Sequence, residues 1–432
     1  MPVQDGMEEK TVSMVDFPEE ERTDGKIFVR VYGETSYENQ MAVLSHYLHN
    51  RKKKLSKKEK KDIVDAIKDF ISRKKNRDGL DLDYLSDQDI LSVAEAPGQY
   101  EIFSDFFNVP FPAPKNPRFT FIDLFAGIGG FRIALQNIGG NCVYSSEFDA
   151  CAQETYFRNF GEVPFGDLTK EATQKHIPNE FDVLCAGFPC QAFSIAGHQR
   201  GFEDTRGTLF FDVAKILKEK RPKAFFLENV KNLKAHDHGR TFEVIMKTLH
   251  DLDYAVYADV LNTMEYANIP QNRERIFIVG FNKKKVRNWG DFRFPDKIAL
   301  TKTIRDCIDY DIDDETLFYT SKFPHYKELV EGMTNPKTVY QWRRQYVREN
   351  KSNVCPTLTA NMGMGGHNVP LIVTGKGYRK LTPKECLNFQ GYPTDYSFPD
   401  TISNAMKYKQ AGNSVTVPLI QRVAGKIIEI IV

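Results

Sequence analysis

The run Phe119-Thr120-Phe121-Ile122-Asp123-Leu124, followed at once by Phe125-Ala126-Gly127-Ile128-Gly129-Gly130, restricts the fold more than any other stretch of the chain. An apolar strand that breaks into a glycine turn and resumes with Phe131, Ala134, Leu135 and Ile138 at helical spacing reads as strand, turn, helix. That helix should stop at Gly139-Gly140. Further apolar runs at 142–146, 181–186, 224–227, 255–261 and 276–279 read as strands. Between them, Leu209, Phe210, Val213, Ile216 and Leu217, then Phe242, Ile245, Met246 and Leu249, have helical spacing. This alternation predicts an α/β domain with a largely parallel sheet.

Upstream, Pro110, Pro112, Pro114 and Pro117 form a proline-rich connector that marks the clearest boundary. Residues 1–27 are polar and Glu-rich and are expected to be a disordered leader. The basic run Arg51-Lys52-Lys53-Lys54 precedes Ser56-Lys57-Lys58-Glu59, a possible capping box opening a helix with Ile63, Ala66, Ile67, Phe70 and Ile71 on one face; a second short helix is expected over 87–96. A lysine-rich helix is a solvated face or a source of phosphate contacts. After about residue 281 the alternation is lost, and Pro, Gly, Asn and aromatic residues interrupt short runs as far as about residue 399. Helical spacing returns through Val415, Leu419, Ile420, Val423, Ile427 and Ile431.

Lys and Arg number 59 against 58 Asp and Glu, a net charge of +1, so nucleic-acid affinity would have to come from local patches rather than a global field. The seven cysteines, 142, 151, 185, 190, 307, 355 and 386, have no close-spaced metal pattern and are odd in number, which suits reduced thiols in a cytoplasmic setting and no bound metal. An apolar signal core and a run long enough to span a bilayer are both lacking, so no membrane partner is expected.

In a parallel α/β sheet, ligands bind at the carboxyl ends of strands, so the residues just after each run carry the functional reading. The turn after the first strand lets the backbone approach a ligand, yet it does not complete a GxGxxG fingerprint and is equally a structural turn. Glu147 follows the second strand, where a carboxylate can accept from both ribose hydroxyls of a nucleoside cofactor, with Phe148 beside it to stack on adenine. Asp167 could accept from the adenine amino group. Exposed carboxylates at strand ends remain the alternative.

The loop Ala186-Gly187-Phe188-Pro189-Cys190-Gln191-Ala192-Phe193-Ser194 leaves another strand, and Cys190 on this polar loop is a candidate nucleophile, whereas Cys185, in strand pattern, reads as an inert small hydrophobe. Glu228, in Glu228-Asn229-Val230, reaches the same edge as an acid, an anchor or a helix-start carboxylate. Arg273 and Arg275, alternating before the strand at 276–279, would point to one side, suited to an oxygen or phosphate, or would form a surface ion-pair face.

This ordered set resembles the DNA (cytosine-5)-methyltransferase family, particularly the methylases of bacterial restriction-modification systems. The matching stretches also include Thr208-Leu209-Phe210, Arg379-Lys380-Leu381-Thr382-Pro383 with Glu385, and Gln410-Ala411-Gly412-Asn413-Ser414-Val415, and they extend from about residue 119 to 432. The resemblance implies an S-adenosyl-L-methionine-dependent, Rossmann-like catalytic domain with a smaller irregular target-recognition domain and an N-terminal helical extension. The expected layout is 1–115 leader and Lys-rich extension, 116–281 catalytic domain, 282–399 target-recognition domain and 400–432 returning to the catalytic domain. It implies that Phe125, Gly127, Gly129, Glu147, Phe148, Asp167, Leu209, Asn413 and Ser414 bind the cofactor. Cys190 would add to carbon 6 of a cytosine flipped out of duplex DNA, since carbon 5 is too poor a nucleophile to be methylated directly. Glu228 would hold ring nitrogen 3, and Arg275, with Arg273 supporting the loop, would bind the ring carbonyl.

Gln191 and Ser194 would close over the base. Arg343, Arg344, Thr357, Thr359 and Asn361 are expected DNA-facing residues, because Arg, Asn and Thr read base edges; the stretch from Thr357 to Gly363 resembles that of methylases recognising CC-N-GG or related sites. A monomer is expected. Two rival readings are a relative acting on transfer RNA and a nicotinamide-dependent oxidoreductase. The latter leaves Cys190, Glu228 and the paired arginines unexplained; a non-catalytic DNA-binding module would have been expected to lack Cys190 or Glu228.

Overall fold

The computed structural model describes residues 109–189, 209–343, 346–363 and 368–432, the backbone of 19–23 and 26–30, and residues 42, 43, 45, 46, 56 and 58. The capping box and helices expected between 56 and 96 lie almost wholly outside the described residues. The leader needs a correction, because β1 (Glu19–Thr23) and β2 (Lys26–Arg30) pair antiparallel with Thr23 opposite Lys26. That register leaves only Asp24-Gly25 between the strands, the dipeptide that two-residue hairpin turns favour.

The main sheet uses β3 (Phe119–Leu124), β4 (Gly140–Ser146), β5 (Val183–Gly187), β6 (Ala224–Val230), β7 (Tyr254–Asn262) and β9 (Glu274–Asn282), with the two-residue β8 (Gln271–Asn272) outside it. Its spatial order is β4-β3-β5-β6-β9-β7. The first four run parallel, and β9 is antiparallel to both its neighbours, with Val230 and Leu261 opposite Arg275. Apolar residues on both faces of the central strands explain this placement. Phe121, Cys185, Phe226 and Val279 enter one core and Ile122, Leu184, Phe225 and Ile278 the other. The order reverses between β3 and β5, so a crevice opens at their carboxyl ends.

Helix α1 (Gly130–Gln136) follows the glycine turn, and α2 (Ala150–Phe160) follows β4. The latter helix, absent from the sequence reading, is capped by Asp149, whose side chain accepts from the Cys151 and Ala152 amides, and ends at left-handed Gly161. Helices α3 (Glu171–Gln174), α4 (Leu209–Lys220), α5 (Arg240–Asp251) and α6 (Thr263–Tyr266) complete this part. The residues after β9 contain α7 (Tyr326–Gly332) and an antiparallel sheet ordered β11 (Tyr346–Glu349), β10 (Tyr340–Arg343), β13 (Leu371–Thr374), β14 (Gly377–Lys380). Leu329, Met333, Tyr340, Trp342 and Leu371 give this sheet a small core of its own.

Among the connections that tie this region to the rest of the chain, two reach the large core. Strand β12 (Cys355–Pro356) pairs parallel with β8, and Leu358, Met362, Leu381 and Leu387 share the large core with Phe121 and Phe226. After α8 (Pro383–Asn388) and α9 (Asn404–Asn413), α10 (Val417–Ile431) packs on α1 and buries Leu419, Ile420, Val423 and Ile427. No helix among the described residues is long and apolar enough to cross a membrane.

Candidate active site

A cleft of about 460 Å³ lies at the carboxyl ends of β3, β4, β5 and β6, closed on one side by the start of β9 and by the end of α9. One wall is built from turns close together in sequence. Phe125 and Gly127 both take left-handed backbone angles, with φ of 56° and 53°, so the chain doubles back immediately after β3. That conformation is uncommon outside glycine, and its cost at Phe125 is carried where the chain lines the cleft. A Cβ at Gly127 would meet nothing within 4 Å, so the backbone itself faces open space there.

Glu147 is buried, and its two oxygens each accept one backbone amide: Oε2 from Gly127 and Oε1 from Asp149, both at 2.8 Å. Burial raises its pKa, opposed by those amides. Each oxygen keeps a lone pair, so the carboxylate is fixed in place and can still accept from a ligand. Phe148 is 76% exposed beside it, an unusual position for a phenyl ring. Asp167, Leu209, Asn413 and Ser414 line the same cleft. Gly129 does not: its backbone caps α1 with φ 78°, and an added Cβ would lie 2.2 Å from the Phe160 ring, so close packing with α2 accounts for it. The Ser414 hydroxyl pairs with the Tyr392 hydroxyl at 2.6 Å.

Beneath this wall, Asp123 is fully buried, and neither oxygen has a hydrogen-bond partner among the described residues. Burial pushes its carboxyl up to about 8, aided by Glu147 and opposed by Arg132. Arg132, also buried, is held by Glu162 through bonds of 2.7 and 3.0 Å and by the Tyr156 hydroxyl at 3.0 Å. This pairing keeps its pKa well above the ordinary value despite burial.

The opposite wall is assembled from distant segments. Glu228 lies two residues before the end of β6, and Arg275, in β9, reaches it with Nε 3.0 Å from Oε1. Arg273 is buried and donates to the carbonyls of Leu358 (2.9 Å), Gly412 (3.4 Å) and Ser414 (2.5 Å). Among the described residues no carboxylate pairs with it, and burial together with Arg275 pushes its pKa down to about 9, which still leaves it charged at neutral pH. Asn229 was not singled out from the sequence. Its amide donates to the Phe188 carbonyl at 2.8 Å and so fixes the chain just before Pro189, which lines the cleft. The only signal available was its place between Glu228 and Val230.

Cys190, Gln191, Ser194 and Arg344 lie outside the described residues. Arg343, Thr359 and Asn361 are exposed, and none of these three lines the cleft. The Thr357 hydroxyl donates to the Asn272 carbonyl at 2.7 Å, so the segment after β12 begins next to the arginines. No cluster of three or more metal-ligating side chains occurs among the described residues.

The family model described as C-5 cytosine-specific DNA methylase matches residues 119–429. The chain belongs to that family. It is a DNA (cytosine-5-)-methyltransferase that uses S-adenosylmethionine. Among similar proteins, the Type II methyltransferase M.Bsp6I of Bacillus sp. (strain RFL6) is 49% identical over 308 residues, covering 70% of this chain and 96% of the relative. M.HhaI of Haemophilus parahaemolyticus is 46% identical, covering 70% and 92%. The crystal structure of S. pombe Dnmt2 methyltransferase matches with a TM-score of 0.55 at 17% identity, covering 72% of this chain and 99% of that one, a likeness of fold.

Proposed function

We propose that this methylase modifies one cytosine within a specific duplex DNA sequence, as a monomer and as the protective half of a restriction-modification system. The Type II designation of its relatives supports the last point. In this reading Cys190 is the nucleophile. The observation that carries it is the convergence in one cleft of Pro189, the residue before Cys190, with Glu228 and Arg275 opposite the Glu147 and Gly127 turn.

The cofactor wall fits S-adenosylmethionine: a fixed carboxylate with free lone pairs, an exposed phenyl ring and a backbone turn with room in front of it. Phe125, Gly127, Glu147, Phe148, Asp167, Leu209, Asn413 and Ser414 would hold it, and when bound it supplies an electrophilic methyl group. The target base must leave the helix, at a cost of a few kcal/mol, before a thiolate can reach carbon 6. The Cys190 sulfur adds there, and the displaced π electrons make carbon 5 nucleophilic. Glu228 holds a proton at ring nitrogen 3, which neutralises the charge that addition creates, and Arg275 donates to the ring carbonyl while orienting Glu228. Once carbon 5 carries the methyl group, a water in the site would take its proton as base, and the freed electron pair re-forms the ring double bond and expels the Cys190 thiolate. Arg273 touches protein carbonyls rather than the cleft centre, so it supports the wall. Arg343, Arg344, Thr357, Thr359 and Asn361, with Gln191 and Ser194, would contact DNA.

Cys190→Ser tests the reading. Its activity should fall by a factor of at least about 10³ while S-adenosylmethionine still binds, and duplexes carrying 5-fluorocytosine should trap a covalent adduct with the native chain only. Full methylation by the serine variant would end this mechanism. Bisulfite sequencing of DNA from expressing cells identifies the site, and methyl transfer confined to RNA would overturn the substrate assignment.

A further inference from the structure

A short segment far upstream of the family match is buried against the back of the cofactor wall. Ala42, Val43, Ser45 and His46 are at most 2% exposed, whereas the family match begins at residue 119. Ala42 and Val43 join the core that contains Ile122, Leu124, Tyr144 and Phe165. The Ser45 hydroxyl accepts the Val163 amide at 2.9 Å. His46 has three neighbours that define its place: Nδ1 lies 2.8 Å from the Ala42 carbonyl, Nε2 lies 3.5 Å from Glu162 Oε2, and its ring centroid lies 5.2 Å from that of Phe165.

The residues it touches lead directly to the cleft. Phe165 donates its amide to the Ser145 carbonyl and accepts the Glu147 amide, both at 2.8 Å, and the chain continues into Gly166 and Asp167 on the cleft wall. Its ring is held by stacking on Tyr144 (4.9 Å, 11°) and His176 (4.8 Å, 19°). One residue therefore sets the backbone at both Glu147 and Asp167; His46 packs on it from behind, and Ser45 holds the amide of Val163, two residues earlier. Glu162, the other neighbour of His46, also holds Arg132 in the first turn of α1.

We propose that Ala42, Val43, Ser45 and His46 form a positioning element for the cofactor site, with His46 as its main positioning residue, so that the N-terminal extension tunes S-adenosylmethionine affinity. The proposal rests on the assignment of the cofactor wall made above. It separates two parameters that a merely structural role would move together. In the full chain, His46→Ala should raise the KM and Kd for S-adenosylmethionine by about five- to tenfold, with kcat and the KM for DNA within about twofold of native. Ser45→Ala should shift the same constants less, and His46→Gln, which keeps a hydrogen-bonding group, should restore part of the affinity. If His46→Ala does not yield folded protein, Ser45→Ala and His46→Gln carry the test.

Unchanged cofactor constants in these variants, or equal shifts for DNA and cofactor, would overturn the proposal. Glu147→Gln, measured beside them, separates the two levels. Should it also leave cofactor binding unchanged, the cofactor wall has been misassigned; should it alone weaken binding, only the role of residues 42–46 is lost.

Discussion

The two walls of the cleft solve the same problem in opposite ways. The wall proposed to hold the cofactor is local: Gly127, Glu147 and Asp149 satisfy one another across a gap of twenty-odd residues with backbone amides that stay where the strands put them. The wall that carries Glu228 and Arg275 is held at long range, since Arg273, immediately before β9, reaches Leu358, 85 residues away, and Ser414, 141 residues away. A locally built wall is set once its strands pair. The second exists only after the whole chain has assembled, so perturbing it should cost stability as well as chemistry.

That contrast can be broken most forcefully at Arg273. Arg273→Ala would leave three carbonyls without their donor and open a buried space, and should lower stability by about 3–5 kcal/mol with near-complete loss of methyl transfer. Chemical denaturation combined with an activity assay checks both; a stable, inactive variant would show that the clamp is not structural. On the other wall, Glu147→Gln sets an amide against two N–H donors. S-adenosylmethionine should bind about a hundredfold more weakly by calorimetry, close to 2.7 kcal/mol, with little change in unfolding.

A smaller effect is expected where the long-range wall touches α9. A Cβ on Gly412 would lie 2.1 Å from the Thr359 carbonyl oxygen, so Gly412→Ala should cost about 1–3 kcal/mol and raise the KM for DNA more than that for the cofactor.

The smallest effect concerns pH. The Asp123 carboxyl ionises near 3.8 when exposed and near 8 in the fold, so between those values the folded chain holds an extra proton. Its contribution therefore becomes more unfavourable as pH rises through that window and levels off above about 8. Asp123→Asn removes it, and the fall in unfolding free energy between pH 6 and 8 should flatten by up to about 1.4 kcal/mol per pH unit. An unchanged profile would mean that Asp123 is ionised in the fold.

The same contrast decides how much could be read from residues alone. The glycine turn and Glu147 were legible because each follows its own strand within a few positions, whereas Asp167 follows only a single bridge at Phe165. Phe119–Leu124 was placed residue for residue. The direction of β9 was not legible, because an apolar run has the same period whichever way it travels. Helix α2 escaped notice although Asp149 and Gly161 bracket it, since its buried face mixes Ala152, Thr155, Tyr156 and Asn159 with Phe157 and Phe160. Gly129 was assigned to the cofactor through the family resemblance, and only packing against Phe160 separates it from Gly127. The docking of His46 depends on a fold that begins more than seventy residues later.

The reversal of β9 reaches beyond topology. Strands that run with the sheet deliver their last residues to the crevice, but β9 arrives there with its first, so Glu228 and Arg275 meet head to tail across two neighbouring strands. The excursion that follows leaves from the far rim of the sheet, at Asn282, and regains the cleft only when β12 lies down beside β8. The intervening length is joined to the sheet side at several points, among them the Thr301 amide on Asn268 and the Asp296 carbonyl on Arg422, before β12 returns to the cleft, an arrangement in which new binding preferences can be grafted between fixed anchor points while the reacting groups keep their spacing.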